Sequence, residues 1–209
     1  MYTPALILST SLLCFATLAP AADPIPGSSP WEVRFIGNFL PGINEGIDGV
    51  RDKDGLGGEI LILYHGACGS SPLGCIAGVG LFDDDRRGRI NAPDTVATYD
   101  AQGGMVTGGV SYSLSPRLSL ESRIDIRVGE GRITAKQSFS NGDFTVLGDY
   151  GTYLAAACTI GIYYAFPSNA SIGFDVGYDR FRGSSDFANT DATVKGDGAT
   201  AGASLGFRF

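Results

Sequence analysis

Positive charge is scarce in this 209-residue chain: 15 Lys and Arg stand against 22 Asp and Glu, for a net charge of −7 and a pI near 4.6. That excludes nucleic acid as a partner, because phosphate binding needs a basic stripe. Two methionines and one histidine, set beside 31 glycines, 12 Phe and 9 Tyr, favour strands and turns over helices. Past the N-terminal segment no long apolar run suggests a spanning helix. Residues 150–174 carry no charge, but Pro167 and several glycines interrupt them, and Ile160 to Tyr164 is a β-favouring run before a turn signal. No glycine-rich loop follows a strand and opens a helix, so no phosphate cradle is expected.

What is present begins with an export signal. Leu6 to Leu18 is apolar and uncharged, and Ala19-Pro20-Ala21 puts small residues where a signal peptidase cleaves, after Ala21 or Ala22. No Lys or Arg precedes the apolar stretch, which departs from the usual pattern. A retained anchor is the alternative, disfavoured because the apolar core falls short of the ~20 residues a spanning helix needs. The expected division is a signal peptide over 1–21, a periplasmic linker over 22–30 and one β-domain over 31–209.

Beyond the linker the period is two. Trp31, Val33, Phe35, Gly37 and Phe39 share one face of a first strand, and Glu32 and Arg34 lie on the other. Further strands are expected over 58–66 and 75–82, then a hairpin of 106–114 and 118–128 turned at Ser115-Pro116. In the second arm of that hairpin Leu118, Leu120, Ile124, Ile126 and Val128 oppose Ser119, Glu121, Arg123, Asp125 and Arg127. That is too much alternating charge for the core of a sandwich. Strands over 151–166 and 170–182 follow, and the last, Thr200 to Phe209, is apolar on one face to its final residue. Connections after the second, fourth and sixth strands are short. Those after the first, third, fifth and seventh (42–57, 83–103, 129–149 and 183–196) are long and polar. This pattern predicts an all-β fold, an eight-stranded antiparallel up-and-down transmembrane β-barrel with short periplasmic turns and long external loops.

Leu205, Phe207 and Phe209 match the C-terminal signal of bacterial outer-membrane barrels, which the outer-membrane assembly machinery reads. Over the signal and residues 31–209 the architecture resembles the small Gram-negative outer-membrane proteins of the OmpA-like, OmpX-like and opacity-protein group. The resemblance implies an outer-membrane location and a non-enzymatic structural, envelope-integrity or adhesion role. Its partners would be outer-membrane lipids and lipopolysaccharide, and a host or surface ligand on the loops. A lipid A-modifying enzyme and a secreted soluble β-sandwich or ligand-binding barrel are the alternatives.

Eight strands enclose an interior just wide enough for side chains. Glu32, Arg34, Glu121, Arg123, Asp125, Arg127, Asp175, Asp179 and Arg208 are expected to fill it as paired charges, since an unpaired buried charge costs several kcal/mol. A narrow ion path is the functional alternative, and no open pore is expected. Trp31, Tyr64, Tyr112, Tyr164, Phe166 and Phe209 fall near the periplasmic strand ends, where aromatic rings favour the lipid interface. Cys68 and Cys75 bracket a short turn and are expected to form a disulfide, whereas Cys158 reads as a packing residue. His65 lacks the His-x-Ser-Asn type of context found in lipid A deacylases, and Ser70 and Ser71 lie in a periplasmic turn; a structural role is expected. The spacing of Asp48, Asp52 and Asp54 fails a calcium loop. The Asp83 to Arg89 run reads as a hydrated loop. No cofactor or metal is expected.

Overall fold

The computed structural model describes residues 30–43, 51–52, 55–67, 73–89, 95–139, 142–187 and 190–209. The expected signal segment, most of the linker, and Asp48, Asp54, Cys68, Ser70 and Ser71 lie outside them. The strands are β1 (Trp31–Leu40), β2 (Arg51–Asp52), β3 (Gly55–Ala67), β4 (Leu73–Arg89), β5 (Thr95–Ser115), β6 (Leu118–Phe139), β7 (Gly142–Leu147), β8 (Asp149–Ala165), β9 (Ala170–Phe187) and β10 (Thr190–Arg208). Among the described residues no helix is long and apolar enough to cross a membrane.

Pairing follows the order β4, β3, β1, β10, β9, β8, β6, β5, and β5 pairs back onto β4. Every pairing is antiparallel, so eight long strands form a closed ring with no free edge along their shared length. The short β2 and β7 lie off the ring, on β4 and β6 respectively. A track perpendicular to the strands from Asp125 reaches Arg208 one way, through Thr107, Gly78, Leu63 and Glu32. The other way it reaches Gly198, through Ala157 and Asp179. The two ends are ten residues apart on β10. With a rise of 3.3 Å and a strand spacing of 4.8 Å, that stagger tilts the strands by roughly 40°.

The turn end is built by local chemistry. Ser115 Oγ accepts from the amide of Leu118 at 3.1 Å, closing the turn at Pro116. Asn169 takes a positive φ of 63°, a conformation Asn tolerates better than most residues, and its carbonyl accepts from the Arg208 amide at 2.9 Å. Both termini of the ring meet here too, where the Phe209 amide donates to the Trp31 carbonyl at 3.2 Å.

All four expected long loops are corrected, and within the first, Arg51–Asp52 and Gly55 to Gly57 are strand. Residues 83–89 continue β4, 95–103 begin β5, 129–139 extend β6, and β9 and β10 run to Phe187 and from Thr190. Among the described residues there are ten strands, eight in the ring and two short ones off it, and most ring strands run longer than the sequence pattern indicated. The cause is a change of phase. Along β6 the outward positions are apolar up to Val128 except at Ser122, then become Glu130, Arg132 and Lys136, while the inward positions change from Arg127 to Gly131, Ile133 and Ala135. β5 does the same, with Val106 and Val110 outward but Ala97, Tyr99 and Ala101 inward. Alternation persists, but the apolar residues move to the other face.

Candidate functional site

Two surfaces define the molecule: a charged interior and an apolar outer belt. On the outside Phe35, Ile60, Leu81, Val106, Ile124, Leu154, Phe174 and Leu205 each expose between 46% and 69% of their area to the surroundings. Inside, the residues Arg34, Arg86, Arg123 and Arg127 are at most 2% exposed. The belt on β6 runs from Leu118 to Val128; at the tilt above this is about 25–28 Å of height, the thickness of a hydrocarbon layer.

The expected interior residues fall into one lower and one upper cluster. In the lower, Arg34 Nε donates to Glu32 Oε1 and Nη1 to Glu121 Oε2, both at 2.7 Å, and its guanidinium lies 4.2 Å over the Tyr163 ring. Glu32 also accepts from Ser171 Oγ at 3.2 Å and Arg208 Nε at 3.4 Å, and lies 3.0 Å from His65 Nε2. One carboxylate thus joins β1, β3, β9 and β10 across the seam where the ring closes. Tyr163 donates to Asp175 Oδ2 at 3.2 Å, and Arg123 is 3.8 Å from the same oxygen. Asp125, 1% exposed, is in register with Thr107 on β5.

The upper cluster adds residues that the sequence pattern did not single out. Arg127 pairs with Asp179 at 2.7 Å and with Glu59 at 2.5 Å, and Asn38 Nδ2 donates to Glu59 Oε1 at 2.7 Å. Arg86 pairs with Asp179 at 2.8 Å and Asp84 at 3.0 Å, and Tyr153 donates to Asp84 Oδ2 at 2.6 Å. Asp84 and Arg86 are 0% exposed, so the hydrated-loop expectation for the Asp83 to Arg89 run is overturned for these two. Their spacing from Phe82 was the available signal, because 82, 84 and 86 share one face of a strand. Asp83, Asp85 and Arg87 do face outward, and an exposed Arg87 to Asp85 pair at 2.8 Å holds the Arg87 guanidinium above its usual range.

Above Arg86 the interior becomes apolar. Its guanidinium sits 4.2 Å over the Phe181 ring, and Phe181, Tyr153 and Tyr99 stack with centroids 6.0 to 6.4 Å apart. Tyr99 fits because its neighbours are glycines: a Cβ at Gly183 would lie 2.3 Å from its ring and one at Gly131 2.6 Å. Its hydroxyl donates to the Ser184 and Thr152 carbonyls, both at 3.1 Å, and burial pushes the phenol up to about 12. Ile43, Ala97, Ile133 and Val194 close this end.

The remaining site residues are placed as follows. Leu205, Phe207 and Phe209 share the outward face of β10, with Leu205 opposite Phe35 and Phe207 opposite Val33. Trp31 meets Tyr64 edge-on at 5.2 Å and Tyr164 meets Phe166 at 5.1 Å, both at the turn end, where Tyr112 pairs with Leu73. Cys75 is disulfide-bonded and Cys158 is a free thiol. His65 and Ser171 both address Glu32, so the serine hydroxyl donates to a carboxylate and not to the imidazole. A histidine-activated nucleophile requires the opposite arrangement. Among the described residues no group of His, Cys, Asp and Glu could hold a metal ion.

No protein-family model matches the chain, and no curated protein matches it. Among solved structures it is similar to Neisserial surface protein A, at 16% identity over 88% of this chain and 99% of that one, with a TM-score of 0.43. It is also similar to Ail, the attachment invasion locus protein of Yersinia pestis, at 18% identity over 87% of this chain and 99% of that one, with a TM-score of 0.44.

Proposed function

We propose that the closed sheet is an eight-stranded up-and-down transmembrane β-barrel in the outer membrane of a Gram-negative bacterium, a non-enzymatic protein that presents its upper half to the exterior. One observation carries this reading: the lower half is inverted relative to a soluble protein. It buries arginines and carboxylates, and it exposes a continuous belt of Phe, Leu, Ile and Val. Water would oppose both arrangements, whereas lipid favours the belt and leaves the interior to satisfy itself. A soluble sandwich or ligand-binding barrel would carry its apolar residues inside along the full length of each strand.

Within this reading residues 1–21 are a removed signal peptide, and Leu205, Phe207 and Phe209 are read by the assembly machinery. Cys68 is the disulfide partner of Cys75. The aromatics Trp31, Tyr64, Tyr112, Tyr164 and Phe166 sit at the periplasmic interface. The ion-paired clusters act as a plug, so the protein anchors and displays without conducting. Its contribution is to envelope integrity, or to adhesion through the upper half. The lipid A-modifying alternative is disfavoured by the shared claim of His65 and Ser171 on Glu32.

The test is gel migration of the protein from isolated outer membranes, with and without boiling. The expected result is a compact unboiled band that shifts on heating; a single unshifted species in the soluble fraction would overturn the reading.

A further inference from the structure

The rim directly above the apolar belt is electrically divided. On β4, β5 and β6 the outward residues past the belt are Asp83 and Asp85, Gln102 and Asp100, and Glu130, accompanied by Arg87 and Arg132. Burial, followed by the nearby Asp85, raises the Asp100 carboxyl above its usual range. On β9 and β10 the outward residues at this height are Arg180 and Arg182, Asp197 in register with Arg180, and Lys195 in register with Arg182. Acidic and basic rims stand at the same height, each starting where its strand's last apolar outward residue ends: Leu81 on β4, Val128 on β6 and Tyr178 on β9. In the ring order β5 and β10 are four places apart out of eight, so the two rims face opposite directions.

The belt beneath them is complementary in shape. Under the basic rim β9 raises a ridge, Ile172, Phe174, Val176 and Tyr178, on which Phe174 is 69% exposed. Under the acidic rim β4 and β5 place Ala77 opposite Gly108. A Cβ at Gly108 would meet nothing within 4 Å and one at Gly104 only the Gly80 carbonyl at 4.0 Å, so the ring itself does not require glycine there. Unforced glycine in a strand marks a place where something approaches closely. Higher up, at Gly104, a surface hollow of about 690 Å³ opens between Leu81 and Val128, floored by Gly103, Gly104 and Gly129 and topped by Gln102 and Glu130.

We propose that the occupant is a second copy of the chain, docked side by side in the membrane plane with its β9 ridge in the β4–β5 trough and its Arg180 and Arg182 against Asp83 and Glu130 of the neighbour. The proposal rests on the transmembrane reading above. Lipid tails are as apolar as the belt, so association inside a bilayer depends on close packing at small residues and on polar contacts. Both are present here at one height. Anionic lipid phosphates would account for the basic rim alone. Because the two surfaces differ and face apart, the contact is head-to-tail and extends into rows.

The experiment uses the folded chain in phosphatidylcholine vesicles, with donor and acceptor dyes on a tag at the mature N-terminus, and reads energy transfer between copies. Two variants are compared, R180E/R182E and D83K/E130K. Each alone is expected to lower association about tenfold, and mixing the two is expected to restore it, since one carries two acidic rims and the other two basic rims. Gly108→Ala, whose added Cβ meets nothing within 4 Å in its own chain, is expected to weaken association as well. Transfer that is indifferent to both charge variants, fails to recover on mixing, or appears only when lipopolysaccharide is added would overturn the proposal. Each variant is also run unboiled and boiled. A heat-modifiable band with no energy transfer sinks the second-copy inference alone, whereas loss of the heat-modifiable band in the unaltered chain sinks the barrel reading beneath it.

Discussion

Below Val128 the molecule buries its arginines and carboxylates, beside Leu61, Leu63 and Ile76, and carries an apolar belt outside; above Arg86 the same strands are polar outside and apolar within. Arg34, Arg123 and Arg127 are buried at the level where Ile124 and Ile126 face out, and Ile133 is buried at the level where Arg132 and Lys136 face out. Nothing in the backbone changes at that boundary, since β6 runs through it from Leu118 to Phe139 without a break. Only the solvent preference of alternate residues changes. Two opposite cores can therefore share one ring of strands, each obeying the medium that its outer face meets. Buried ion pairs share the lower interior with Leu61, Leu63 and Ile76 under an apolar belt, and a Tyr-Phe stack fills the upper half, whose outer face is polar.

The comparison breaks most sharply at Arg127. Arg127→Ala leaves Glu59 and Asp179 without a shared cation inside the belt, and a loss of about 3–5 kcal/mol is expected. Urea titration of the heat-modifiable band in vesicles would register this as loss of the whole folded form. Tyr153→Ala removes the ring that stacks on Tyr99 and Phe181 together with the hydroxyl on Asp84, at a similar nominal cost of about 3–5 kcal/mol. The damage should stay local. Limited proteolysis is expected to cut the upper half of this variant while the band shift survives, and equal loss in both assays would show the halves to be a single cooperative unit.

Smaller effects sharpen the boundary. Val176→Arg places a cation on the belt and is expected to destabilise by about 2–4 kcal/mol, whereas Arg182→Val on the same face of β9 but above the belt should be within about 0.5 kcal/mol of neutral. Alkaline pH addresses the upper half. The Tyr99 phenol is raised to about 12, so between its unfolded value of 10 and that figure the unfolded chain ionises while the folded one does not. The stability this provides is complete below pH 10 and is lost as pH rises through 12. An ultraviolet phenolate titration alongside proteolysis of the upper half would follow it, and Tyr99→Phe should remove this component of the alkaline loss.

The lower half was legible in the sequence because its rule is simple. Alternation over 31–39, 118–128, 172–179 and 200–209, with charge on one face, reveals both the strand and its inward side. The interior positions of Glu32, Arg34, Glu121, Arg123, Asp125, Arg127, Asp175 and Asp179 followed from that alone. The upper half was not legible as strand because Asp83 to Arg89 and Gly129 to Lys136 end the outward apolar series, and a reader tracking that series takes its end for a loop. Glu59 was hidden for another reason. It is an isolated charge in an apolar run, and its partners Asn38 and Arg127 come from strands whose relative stagger only the closed ring determines.

Spin labels placed singly at the outward positions of β6 from Ser122 to Lys136, in outer-membrane-like vesicles, test the inversion most directly. Labels up to Val128 should be relaxed by oxygen dissolved in lipid, and labels from Glu130 onward by a water-soluble nickel complex, with the change falling between these two neighbours on one uninterrupted strand. Equal accessibility to the nickel complex along the whole series would contradict the account.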